Sequence, residues 1–104
     1  MKTVLVTGAT GALGQAVVAN MRKDRHWRVV ATSRQCQVEG SFQLDIRDHE
    51  NFSTVIKSTK PDLVVHLTAI FANDFDDAYA VNVDAARHLL EVVKNAKCPV
   101  LTVH

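Results

Sequence analysis

Thr7-Gly8-Ala9-Thr10-Gly11-Ala12-Leu13-Gly14 follows directly on the apolar run Val4-Leu5-Val6. A short buried strand over Thr3–Val6 enters a turn with glycines at three-residue spacing, and an apolar-periodic helix follows. That order brings bare backbone N–H groups and a helix N-terminus to one point, which suits the pyrophosphate of a dinucleotide. Glycine is needed because a Cβ would block the turn, the phosphate or the packing of helix on strand. The spacing is Gly-x-x-Gly-x-x-Gly, not the Gly-x-Gly-x-x-Gly of the usual dinucleotide fingerprint. A phosphate loop ending in Gly-Lys-Ser/Thr is excluded, because Gln15 follows the last glycine. Alone, such a repeat can be only a tight turn; the strand before it and the helix after it point to cofactor binding.

The rest of the chain alternates short apolar runs with helical periods, as βαβ units require. The first helix is expected over about Gly11–Lys23, with Leu13, Ala16, Val17 and Met21 on one face. Trp27–Thr32 reads as a second strand ending at Ser33-Arg34, and Ser41–Asp45 as a brief third. Asp48 suits the N-cap of a helix whose face is Phe52, Val55, Ile56 and Thr59, stopped by Pro61-Asp62. Leu63–Leu67 is a nearly all-apolar fourth strand, as expected where helices cover both faces. A loop over Ala72–Phe75 leads to a long helix carrying Tyr79, Val83, Ala86, Leu90 and Val93, and Pro99–Val103 is a fifth strand. The expected fold is α/β: a Rossmann-type parallel sheet of five strands in the order 3-2-1-4-5, helices on both faces. The glycine turn then lies where the strand order reverses, the place where such sheets bind ligands.

A chain of 104 residues allows one domain. Its formal charge of +1 gives no field for nucleic acid or an anionic membrane, and no apolar stretch is long enough to span a bilayer. The first strand begins too early to leave room for a signal peptide. Cys36 and Cys98 stand far apart without a Cys-x-x-Cys, so reduced thiols in a cytoplasmic protein are expected. His26 and His49 fall in connections and His88 on the polar side of the long helix, so nothing pairs them for metal. His66 reads as a packed, hydrogen-bonded residue and Trp27 as core or rim. Asp74, Asp76 and Asp77 read as a solvated acidic loop at a helix N-terminus rather than an ion site.

Four segments, in order along the whole chain, resemble the extended short-chain dehydrogenase/reductase family of sugar-nucleotide epimerases, dehydratases and deoxysugar reductases. Thr7–Gly14 is similar to the family's Thr-Gly-Ala-Thr-Gly-x-x-Gly. Asp45-Ile46 resembles its acidic-aliphatic pair after the third strand. Pro61–Ala69 is similar to Pro-Asp-x-Val-x-His-Leu-Ala-Ala, and Asn82-Val83 with Leu89-Leu90-Glu91 resembles its Asn-Val…Leu-Leu-Glu helix.

The resemblance implies a cofactor site built from Gly8, Thr10, Gly11, Ala12, Leu13 and Gly14 around the pyrophosphate. Asp45 would accept a hydrogen bond from the adenine amino group, or else only cap its strand, and Ile46 would pack on the adenine face. Leu67, Thr68 and Ala69 would lie along the nicotinamide-side ribose, with Thr68 departing from the family's commoner alanine. An acid at the end of the second strand would bind a ribose 2′-hydroxyl and repel a 2′-phosphate. Here stand Ser33, a neutral donor, and Arg34, whose guanidinium fork suits a phosphate. NADP(H) is therefore expected in preference to NAD(H), unless Arg34 is only a solvated loop cation.

The family's reaction is hydride transfer with proton exchange at a Tyr whose pKa is lowered by a Lys four residues on. An Asn in the preceding helix supports that Lys, and Asn82 matches it. The sole tyrosine, Tyr79, has Val83 four places on, so the Tyr-x-x-x-Lys pair and the sugar-binding region are missing from these residues. The expectation is a truncated cofactor half, 1–104, inactive by itself, whose nucleotide-sugar substrate belongs to a full-length parent. Its fifth-strand edge, Val100–Val103, would favour self-association. The alternative is a non-catalytic NAD(P)-sensing regulator of the atypical short-chain dehydrogenase type.

Overall fold

The computed structural model describes residues 1–9, 11–33, 41–45, 47–67 and 80–102, with the backbone alone at 41, 80–82, 86 and 102. Strands β1 (Lys2–Thr7), β2 (Trp27–Ser33), β3 (Ser41–Gln43), β4 (Leu63–His66) and β5 (Val100–Thr102) form one parallel sheet in the order β3-β2-β1-β4-β5. The order is the expected one. Helix α1 (Ala12–Arg22) follows β1, and α2 (His49–Thr59) joins β3 to β4. A π-helical stretch, Ala80–Ala85, runs into α3 (Ala86–Asn95) before β5.

Period-two alternation along β1 explains the layers, since successive side chains leave a strand on opposite faces. Leu5 packs with Val30 and Val64 of the sheet, Phe52 and Ile56 of α2, and Ala85, Leu89 and Val93 around α3. Val4 and Val6 point the other way, to Val18 of α1 with Ala31 and Val65. Helices thus cover both faces, α1 on one and α2 with α3 on the other. α2 begins as expected: Asp48 Oδ1 accepts from the Asn51 N–H at 3.0 Å. It ends at Lys60 in the left-handed region (φ 46°), just before Pro61.

Two helices are rotated from the faces expected of them. In α1 the buried residues are Gly14 and Val18, while Leu13 is 51 % exposed and Ala16 is also exposed. Val17 and Met21 only flank the core. Around α3 the inward row is Ala85, Leu89 and Val93, and both Val83 and Leu90 face solvent. Each helix carries two adjacent apolar rows, so amphipathicity leaves its rotation open. The expected α-helical start of the long helix is π-helical instead, which shifts the phase of the α3 turns after it. The third strand closes at Gln43 rather than Asp45. Leu101 on β5, an edge strand of the described sheet, is 55 % exposed.

His49 and His88 also depart from expectation. His49 is the first residue of α2, not part of a connection, and its ring stacks on His88 of α3 with centroids 3.8 Å apart and planes 6° apart. His88 is half-buried, edge-on to Phe52, and its Nδ1 is buried without a hydrogen-bond partner. Burial, with neighbouring His49 second, holds the His88 imidazole below its ordinary range, and Glu91 opposes this. The folded pKa lies below the unfolded one, so this stabilisation is present above about pH 6.5 and is lost as pH falls through the folded value. The melting temperature should therefore hold above that pH and decline toward acid. His88→Phe keeps a ring against His49 and Phe52 but cannot titrate, so its decline should be shallower. Equal slopes in thermal scans of the two proteins would refute the assignment.

Candidate functional site

Parallel strands place all their C-terminal ends on one edge of the sheet, and the order reverses between β1 and β4. The turn after β1 opens on this edge. Gly8 has φ 69°, a left-handed conformation that favours glycine. The Ala9 N–H donates to Thr32 O at 3.0 Å, tying the turn to the end of β2. A Cβ on Gly14 would collide with the Gly8 carbonyl oxygen and lie 2.8 and 2.9 Å from Ala9 Cα and C. Gly14 thus lets the first turn of α1 sit directly on the loop. Gly11 has room, its nearest contact being 3.7 Å away, and its extended backbone serves as N-cap.

The N-terminus of α1 carries no capping or acidic side chain of its own: the N-cap contributes no side-chain hydrogen bond and the first turn holds no acidic residue. The opening N–H groups of a helix have no intrahelical acceptor and carry its positive dipole end. Ala12, Leu13 and Gly14 supply these groups at the crevice. Leu13, exposed here rather than packed, leaves the approach to them uncrowded by core. These residues fit a diphosphate, and Gly8, Gly11, Ala12, Leu13 and Gly14 are brought together. Thr10 lies outside the described residues.

The buried polar residues of the described chain gather at the same edge. Thr7 ends β1, Thr32 and Ser33 end β2, and His66 ends β4, all buried. Thr32 Oγ1 donates to Val6 O at 2.8 Å. Thr7 Oγ1 lies 2.8 Å from His66 Nδ1 and accepts from the Leu67 N–H at 3.1 Å. His66 is therefore the packed, hydrogen-bonded residue expected. The pair clamps β1 to β4 where the crevice opens and holds the Leu67 backbone there. Arg34, Ile46, Thr68, Ala69, Tyr79 and the acidic cluster lie outside the described residues, as does Cys36. Asn82 falls in the π-helical stretch.

Asp45 follows β3 at the C-terminal edge. The Leu44 N–H donates to Ser33 O at 2.8 Å, which sets Asp45 beside the end of β2. Its carboxylate is held by Arg47: Nη2 donates to Oδ2 at 2.8 Å and Nε to Oδ1 at 3.0 Å. Sequence carries no signal for Arg47 beyond its place two residues on. Cys98 is half-buried, and burial pushes its thiol up, away from reactivity. Among the described residues no group of three or more metal-binding side chains occurs, and no helix is long and apolar enough to cross a membrane.

The family model described as RmlD substrate binding domain matches residues 1–104. The chain belongs to this family. An uncharacterized epimerase/dehydratase of Staphylococcus saprophyticus is 28 % identical over 114 residues, covering 98 % of this chain and 36 % of the relative. Methionine adenosyltransferase 2 subunit beta of Pongo abelii is 31 % identical over 93 residues, 85 % of this chain and 28 % of that protein. The chain thus spans about a third of the length of these curated relatives. Among solved structures, a short-chain dehydrogenase/reductase superfamily protein of Agrobacterium tumefaciens with bound NAD superposes with a TM-score of 0.83 at 27 % identity, covering 96 % of this chain and 31 % of that one.

Proposed function

We propose that residues 1–104 are the cofactor-binding part of an extended short-chain oxidoreductase whose full-length form acts on a nucleotide sugar, with NADP(H) preferred to NAD(H). The observation that carries the reading is the uncapped, acid-free N-terminus of α1, seated by Gly14 on the Gly8 turn at the point where strand order reverses. The NAD-bound Agrobacterium protein supports a nicotinamide dinucleotide. The Staphylococcus relative, named as an epimerase/dehydratase, supports that reaction class.

Bound there, the dinucleotide supplies hydride transfer; the chain's part is to grip and orient it. Amides of α1 would meet the pyrophosphate, and by the family resemblance Asp45 would meet the adenine amino group and Ile46 the base. Leu67, Thr68 and Ala69 would serve the nicotinamide-side ribose. Asn82 is the supporting residue of the catalytic set. With no Tyr-x-x-x-Lys in the sequence, these residues bind cofactor without turnover.

The preference for NADP(H) rests on the sequence Ser33-Arg34, which stands where an acid would close the second strand in an NAD-selective site. Calorimetric titration with both cofactors tests the whole reading. Wild type should bind NADP(H) more tightly, and Arg34→Ala should erase that preference, a change of about tenfold or more for a charge-assisted contact. An unchanged preference would mean that Arg34 takes no part in selecting the cofactor; no binding of either cofactor ends the reading.

A second reading, a non-catalytic dinucleotide-sensing regulator, has one observation in its favour, the likeness to a protein named as an adenosyltransferase subunit. Assay of a longer chain for sugar-nucleotide turnover separates the two, because only the enzyme reading expects it.

A further inference from the structure

We propose that Arg47 is a positioning residue: it holds the Asp45 carboxylate in the orientation that accepts from the adenine amino group, and so sets selection for adenine over a 6-oxopurine. The inference rests on the dinucleotide reading and deepens it.

The geometry is that of a fixed plane rather than a loose ion pair. Arg47 Nη2 donates to Asp45 Oδ2 at 2.8 Å, and Nε lies 3.0 Å from Oδ1 and 3.3 Å from Oδ2. The Arg47 backbone N–H adds a donor to Oδ1 at 3.0 Å. A guanidinium fork fixes both the position and the plane of a carboxylate, which a lysine point charge does not. The turn carrying the pair is anchored at both ends. Buried Leu44 ties it to Ser33 on one side. On the other, the Asp48 N–H donates to Asp45 O at 2.9 Å while Asp48 caps α2.

Such a fork adds orientation to whatever it adds to stability. The side chains are 36 % and 32 % exposed, so solvent screens part of the attraction within the pair. Adenine presents N–H donors at its 6-position, where hypoxanthine presents an oxygen. A carboxylate locked toward that position rewards the first base and repels the second. Without the guanidinium, Asp45 keeps the Arg47 backbone N–H on Oδ1 but loses the donors that fix its plane, and both the attraction and the repulsion are diluted.

The test is the ratio of affinities for NADP(H) and its hypoxanthine counterpart, measured by calorimetry on the 104-residue chain. The two ligands carry the same phosphates, so repulsion from an uncovered Asp45 cancels in the ratio. Arg47→Ala should lower the preference for adenine about tenfold, the scale of one hydrogen bond to a charged group. In an Asp45→Asn background the same substitution should leave the ratio unchanged, because the group it positions is gone. A purely structural role would weaken both ligands alike and leave the ratio fixed. An unaltered ratio in Arg47→Ala, or an equal effect of Arg47→Ala in the Asp45→Asn background, overturns the proposal. Should Arg47→Ala fail to fold, Arg47→Gln, which keeps the stem and loses the fork, carries the same comparison. A wild-type chain that binds neither ligand sinks the dinucleotide reading and this one with it, whereas binding with an unaltered ratio sinks this one alone.

Discussion

Gly14→Ala is expected to lower the melting temperature by about 10–20 °C and dinucleotide affinity by at least about 100-fold. The added Cβ would meet the Gly8 carbonyl oxygen and the Ala9 backbone, 2.8 and 2.9 Å from its Cα and C. Backbone atoms have no rotamer to change, so α1 itself must move off the loop. Moving it draws Val18 away from Val4, Val6, Ala31 and Val65. Overpacking of this kind costs about 3 kcal/mol or more where no side chain can yield. In a domain near 100 residues, each kcal/mol shifts the midpoint by about 4–8 °C. Displacing the first turn of α1 also misaligns the amides that would meet the pyrophosphate. Gly11→Ala is the control: its Cβ has 3.7 Å of clearance, and stability should change by less than about 1 kcal/mol. Thermal denaturation and calorimetry on both variants decide the matter. A Gly14→Ala protein with a wild-type midpoint would refute the close contact between helix and turn.

Leu13→Asp should separate folding from binding by moving them in opposite directions. Leu13 is 51 % exposed, so its replacement sacrifices little burial, and α1 has no acid in its first turn. A carboxylate there interacts favourably with the positive end of the helix, worth about 0.3–1 kcal/mol. The same charge occupies the field that a diphosphate would use and repels it at close range. Dinucleotide affinity should fall by at least about 100-fold, the scale of a few kcal/mol between like charges near a surface. The melting temperature should hold or rise by a few degrees. Binding left intact would mean that the pyrophosphate does not lie against this helix end. A fall in both quantities would mean that Leu13 packs in the core after all.

Much of the candidate site was legible because it is built from backbone. Glycines mark where the chain must come close to itself, and no side-chain geometry is needed to see that Gly8 and Gly14 serve a turn and a contact. The Asp48 cap and the Phe52–Ile56 row of α2 were legible for a similar reason: each acts within a single turn of helix. Arg47 and the His49–His88 stack were not. The first depends on the tight turn that folds Arg47 back over Asp45. The second joins two histidines 39 residues apart in sequence, and nothing local to either records the other.

Strand order, the two covered faces and the crevice at the reversal point were determined by the sequence alone. Alternating apolar periods force a parallel sheet with crossover helices, and the glycine turn says which strand lies at its centre. Only the tertiary structure decided how each helix is rotated on that sheet. α1 and α3 each carry two apolar rows of similar strength, and hydrophobicity, having no direction, cannot choose between them. In α1 the choice falls to a contact that only glycine permits. Around α3 it falls to a π-helical start that advances the row facing the core. The same rotations leave Leu13 at the crevice and set His88 against His49, so the finer features of the site follow from packing that no local pattern encodes.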